Sequence, residues 1–119
     1  MTIPADEAFR IALSNAVEGD AGLYELVWEF NARYPTATPM ERLCAAQAAM
    51  SALIAQDYAT VSATVWLSAD YRPLSREDAA RAVTEADAFR SPADTPDASY
   101  LSYTSTPRGE AAYFAKPSP

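Results

Sequence analysis

Glu25 and Glu29 lie four positions apart, and the aromatics Tyr24 and Trp28 stand immediately before them. On a helix, residues four apart share a face, so this spacing gives two carboxylates one turn apart beside an aromatic ridge. Paired carboxylates can exchange protons or hold a hard cation; as a plain solvated face they are commoner. Framed by aromatics they suit a third role. The rings would anchor a basic protein and the charges would steer its approach. The alternative for Tyr24 and Trp28 is packing beneath another part of the chain.

A second acidic group, Asp70, Glu77, Asp78, Glu85 and Asp87, is interspersed with Arg72, Arg76 and Arg81. Intrahelical pairing, Glu77 with Arg81, is one account of it. A surface that imitates phosphate or plugs a cationic cleft is the other. The chain has no histidine, which removes Ser-His-Asp and Cys-His catalysis and imidazole metal sites. Cys44 has neither a second cysteine nor a histidine as companion, so it is expected to be a small buried helix-packing residue. The three glycines are isolated and make no phosphate-cradling loop. These residues lead to the expectation of a protein that is not an enzyme and carries no cofactor and no metal.

The 119 residues suit a single domain, 1–119, and half of them are hydrophobic. The net charge is −7, from 16 Asp and Glu against nine Lys and Arg. Residues 1–57 carry eight acids and three bases, and residues 58–98 carry seven and four. Proteins bind DNA by replacing its counterions with Lys and Arg. An acidic surface repels nucleic acid and favours cationic partners. One cysteine permits no intrachain disulfide, which fits a reducing compartment. The first residues lack a basic start with an apolar stretch, and no apolar run approaches the ~20 residues that cross a membrane. The expectation is a soluble cytoplasmic protein.

The elements that must position these residues follow from periodicity and punctuation. Residues 5–18 read as a helix with the stripe Phe9, Leu13, Ala16, Val17 and a left-handed cap at Gly19. Residues 21–34 read as a second helix, buried through Leu23, Leu26, Val27 and Phe30 and stopped by Pro35. Thr38, Pro39 and Glu41 form a capping box with proline at the first turn, opening a third helix to about Gln56. Tyr58 to Ser68 alternates as a strand, with Ala59, Val61, Ala63, Val65 and Leu67 on one face. A turn at Asp70 to Pro73 leads to a helix over 76–89, capped by Ser75. A loop over 91–98 precedes a strand over Tyr100 to Ser105 and a helix over 107–115 that starts at Thr106-Pro107.

This order of helix, helix, helix, strand, strand resembles the winged-helix superfamily. Leu23-Tyr-Glu-Leu-Val-Trp-Glu-Phe-Asn-Ala-Arg-Tyr-Pro35 looks like its second helix and turn. Thr104-Ser-Thr-Pro-Arg-Gly-Glu-Ala-Ala-Tyr-Phe114 looks like the exit from its wing hairpin. The chain as a whole is also similar to small bacterial proteins whose grouping implies no chemistry. The expected fold is α+β: a three-helix bundle with a small antiparallel β-hairpin, interrupted by a helical insertion at 69–98, plus a short C-terminal helix. The resemblance makes helix three the recognition helix, where base readers are typically Arg, Lys, Asn or Gln. Outside its apolar stripe this helix offers Glu41, Arg42, Ala45, Ala48, Ala49, Ser51 and Ala52, a poor reading surface.

Two functions stay open. The first is an acidic protein-binding module, an immunity protein or inhibitor that neutralises a basic toxin or enzyme. Its contact surface would be Tyr24, Glu25, Trp28 and Glu29 together with Asp70, Glu77, Asp78 and Glu85. The second is a winged-helix transcription regulator contacting DNA through Arg33, Arg42 and Arg108. The acidic charge argues against nucleic acid, and no membrane partner is expected. A homodimer, formed through Phe9 or Phe114, is a further expectation of the resemblance.

Overall fold

The computed structural model describes residues 2–115. Five α-helices and a four-stranded antiparallel sheet make an α+β fold. Helix α1 spans Ala5–Glu18, with Asp6 and Glu7 in its first turn, where carboxylates complement the helix dipole. It ends at Gly19, whose φ of 148° and ψ of −163° are extended with positive φ. This replaces the expected left-handed cap: the chain must straighten at once, because Ala21–Gly22 is a strand, β1.

Helix α2 therefore begins at Leu23 and runs to Arg33, two residues later than the expected start. A two-residue strand has no periodicity to read. Its pairing, Ala21 with Tyr103 and Gly22 with Ser102, is long-range. The Glu25 carboxylate accepts the Gly22 N–H at 3.0 Å and so caps α2 from within its first turn. Helix α3, Pro39–Ala55, opens as expected: Thr38 N–H donates to Glu41 Oε1 at 2.8 Å, and Glu41 N–H donates to Thr38 Oγ1 at 3.1 Å.

Strand β2, Ala59–Val65, pairs along its whole length with β4, Ser99–Ser105, from Ala59 opposite Ser105 to Val65 opposite Ser99. The expected inward face holds only for Ala59 and Val61. Thr64 is buried, and Val65, Trp66 and Leu67 are exposed. The strand stops at Val65, and Leu67 turns the chain at a φ of 68°, a conformation costing about 1 kcal/mol or more outside glycine. β3, Arg72–Pro73, adds a short edge, so the sheet order is β1-β4-β2-β3. The expected simple hairpin is thus flanked by a two-residue strand on each side.

Within 69–98, α4 covers only Arg76–Ala82, and the expected continuation to residue 89 is a separate 3-10 turn, Ala86–Phe89. The break lets Val83 and Phe89 reach the core as well as Ala79. A second 3-10 turn, Pro92–Asp94, precedes β4. Helix α5 is Pro107–Phe114. Its start is pinned to the α3–β2 turn: Thr106 Oγ1 donates to Asp57 O at 2.6 Å and Arg108 Nε donates to Gln56 O at 3.0 Å. A side chain at Gly109 would stand 2.1 Å from the Tyr58 carbonyl oxygen, so only glycine lets α5 sit this close.

The core lies between the helices and the sheet. Leu23, Leu26, Phe30, Met50, Leu53, Val61, Val83 and Tyr103 are its most deeply buried large side chains. Each buried aliphatic side chain there stabilises the fold by about 1.5–3 kcal/mol. Among the described residues no helix is long and apolar enough to cross a membrane.

Candidate functional site

Helix α2 presents the aromatic pair, and the sheet completes it. Tyr24 is 6% exposed and meets Trp28 edge-on at 4.9 Å and Tyr100 edge-on at 5.6 Å. Tyr100 in turn meets Trp66 at 6.3 Å. The four rings form one continuous arc, Trp28–Tyr24–Tyr100–Trp66. Tyr24 is buried and Tyr100 half-buried, while Trp28 is 57% and Trp66 51% exposed. A cleft of about 440 Å³ opens between the two tryptophans, closed by Ser91, Pro92, Ala93 and Ala98. The two readings of Tyr24 and Trp28 thus divide between them: Tyr24 packs, and Trp28 faces solvent.

Carboxylates border the inner rings. Burial, with Glu25 next, raises the Tyr24 hydroxyl above its ordinary range. Burial also raises Tyr100, with Tyr71, Glu25 and Asp20 adding to it. Glu25 and Asp20 also line a polar cavity of about 220 Å³ with Glu18, Glu29, Asn15, Gly19 and Ala21. Glu29 is held on two sides, by Asn15 Nδ2 at 2.8 Å and by Arg33 at 3.1 Å. Glu25 and Glu29 therefore bind different donors on the wall of one cavity. Among the described residues no group of three or more His, Cys, Asp or Glu side chains is placed to hold a metal ion.

Asp70, Glu77, Asp78 and Glu85 do not line the tryptophan cleft. Asp70 is 3.6 Å from Arg72, both exposed. Arg81 pairs with Asp78, not with Glu77 as expected. Asp78 already has its N–H on Ser75 Oγ at 3.0 Å, and its short side chain meets Arg81 one turn on. Glu77 is exposed on α4, which packs against α3 and β2. Glu85 lines a different cleft of about 390 Å³, together with Asp87, Arg90 and Tyr100.

The eight arginines are all engaged within the fold. Arg42 donates to the carbonyls of Tyr34 at 3.1 Å and Ala37 at 2.7 Å. Arg76 caps the end of α3 at Ile54 O and Ala55 O, Arg90 binds Asp94 O, and Arg108 binds Gln56 O. Arg33, Arg72 and Arg81 pair with carboxylates. Arg10 lies 5.5 Å over the Tyr113 ring. Arg33, Arg42 and Arg108, the three candidates for phosphate contact, thus each hold a partner in the chain itself.

The outer face of α3 is alanine-rich. Cys44, Ala45, Ala48 and Ala52 line a groove of about 530 Å³ against Ile3 and Phe9 of the N-terminal segment. Cys44 is exposed there, contrary to its expected burial. It faces outward because Ala46, Ala49, Met50 and Leu53 already occupy the inward stripe.

Trp66 and Tyr100 are members of the arc that the sequence reading left out. Their proximity depends on strand register: Tyr100 stands opposite Thr64, which makes Trp66 its diagonal neighbour. The one signal in the sequence is that Trp66 alternates onto the face opposite Val61, the face it shares with Thr64. No protein-family model matches the chain, and no curated protein and no solved structure matches it.

Proposed function

We propose that this chain is an acidic protein-binding module that occludes a basic partner, as an immunity protein neutralises a toxin or an inhibitor blocks an enzyme. One observation carries the reading: two half-exposed tryptophans flank a cleft, Glu25 lies beside the Tyr24 ring on its wall, and every arginine already has a partner within the chain. Exposed aromatics give a partner large rigid contacts, and the surrounding negative charge accelerates its approach. On this reading the protein is a cytoplasmic binding module and not an enzyme, without cofactor or metal. Tyr24, Glu25, Trp28 and Glu29 form the centre of the contact. Asp70, Glu77, Asp78 and Glu85 act at a distance through their field.

The scaffold is read as winged-helix-like. Its element order supports this, as does a first strand that pairs beside the last one. The 69–98 segment replaces the short loop of an ordinary wing. That scaffold keeps a second reading alive, a DNA-binding regulator, with salt-sensitive retardation of duplex DNA as its test. The alanine face of α3 and the internal engagement of Arg42 and Arg108 weigh against it.

The experiment for the first reading is co-purification with the product of the adjacent reading frame, followed by association kinetics. Glu29→Lys and Asp20→Lys should slow association strongly at low salt and weakly at high salt. Unchanged affinity in both variants would remove this surface from the contact. The absence of any basic partner would remove the function.

A further inference from the structure

The arc of four rings does more than expose apolar surface. The faces of indole and phenol rings carry negative charge and attract cations. Among the described residues one cation lies over a ring, Arg10 on Tyr113, and none lies over Trp28, Tyr24, Tyr100 or Trp66. The inner tyrosines of the arc feel Glu25, and Tyr100 also feels Asp20. A cleft walled by Tyr24, Trp28 and Trp66, with Glu25 beside Tyr24 and no cation lying over its rings among the described residues, is complementary to a positive side chain.

We propose that the cleft between Trp28 and Trp66 seats a single arginine side chain projecting from the basic partner, with the indole faces stacking on the guanidinium and Glu25 and Asp20 balancing its charge. This rests on the protein-binding reading and identifies its anchor. Arginine fits better than lysine because a planar guanidinium stacks on rings while still donating hydrogen bonds in its plane. Ser91, on the wall of the cleft, supplies a neutral acceptor. Pro92, Ala93 and Ala98 make the rest of that wall apolar. The anchor explains why Trp66, from the sheet, and Trp28, from α2, are both left half-exposed on opposite sides of one groove.

Trp28 and Trp66 are the chain's two tryptophans, so selectively excited tryptophan emission reports on this cleft. The whole protein is titrated with a capped peptide of alternating arginine and glycine, and with the same peptide carrying citrulline for arginine. Citrulline keeps the shape and removes the charge. A saturable change in emission is expected with arginine, and binding about tenfold weaker with citrulline. Trp28→Ala should weaken the arginine peptide by about tenfold, and Asp20→Asn by a few fold, the latter vanishing at high salt. Trp66→Phe, which keeps a ring, should bind more tightly than Trp66→Ala.

Equal binding of the two peptides would overturn the proposal in favour of an apolar groove. So would arginine binding indifferent to both tryptophan substitutions, or saturable binding of a neutral oligosaccharide in place of the peptide. No response to the arginine peptide up to millimolar concentration would overturn it as well. The broader function fails separately: if a basic partner binds and responds to charge reversal but ignores Trp28→Ala and Trp66→Ala, only the anchor is wrong.

Discussion

The Asn15 amide on α1 donates to the Glu29 carboxylate on α2 at 2.8 Å, tying together the two helices that flank β1. Glu29 is thereby a structural acceptor as well as a surface charge. Asn15→Ala should lower stability by about 1–2 kcal/mol, since a hydrogen bond to a charged group is lost. Urea denaturation would measure it. Because Arg33 still holds Glu29, partner affinity should move little.

Tyr34 supplies a prediction in alkaline pH. Burial, with its hydrogen bond to Glu7 next, pushes its hydroxyl from 10.0 up to about 12. The folded protein holds this proton more tightly than the unfolded chain does. The associated stability is therefore complete below about pH 10 and is lost as pH rises towards 12. Tyr103, raised mainly by burial, acts in the same direction. Tyr34→Phe should reduce the loss in that window, read by thermal melts at stepped pH, while ultraviolet titration shows one fewer late-ionising tyrosine.

Two glycine substitutions should have different signatures. In Gly109→Ala the new carbon would stand 2.1 Å from the Tyr58 carbonyl oxygen, where backbone must move. A loss of about 1–3 kcal/mol is expected. In Gly22→Ala it would stand 2.3 Å from the Tyr24 ring, which can rotate. The ring's displacement should appear as altered tryptophan emission, because Tyr24 abuts Trp28 at 4.9 Å.

Arg42→Ala separates the two functional readings without any partner in hand. If Arg42 serves the fold, the substitution leaves the Tyr34 and Ala37 carbonyls short of a donor and costs about 1–3 kcal/mol. Retardation of duplex DNA should be negligible before and after. A salt-sensitive complex that disappears in the variant would favour the regulator reading.

The helices are legible wherever capping chemistry is local. Thr38 with Glu41, Ser75 with Asp78, and Thr106 with Gly109 each mark a helix start within three residues, and each makes the bond its spacing implies. The β2–β4 pair is legible as two alternating runs, but its register is not, since it is set by contacts about forty residues apart. Hence Tyr24, Glu25, Trp28 and Glu29 could be read from one helix, while Trp66 and Tyr100 could not be joined to them. β1 was hidden for the same reason: Ala21–Gly22 is a strand only because β4 lies beside it. The early end of α4 follows from Val83 and Phe89 both seeking the core, a tertiary demand that outweighs helical continuity.

Each edge strand of the sheet is only two residues long, Ala21–Gly22 on one side and Arg72–Pro73 on the other. A neighbouring chain that tried to extend the sheet would find a short glycine-bearing segment at one margin and, at the other, a proline without an N–H to offer. A molecule that displays two tryptophans to solvent thus offers, along these two edge strands, little ladder on which sticky surfaces could grow into fibrils.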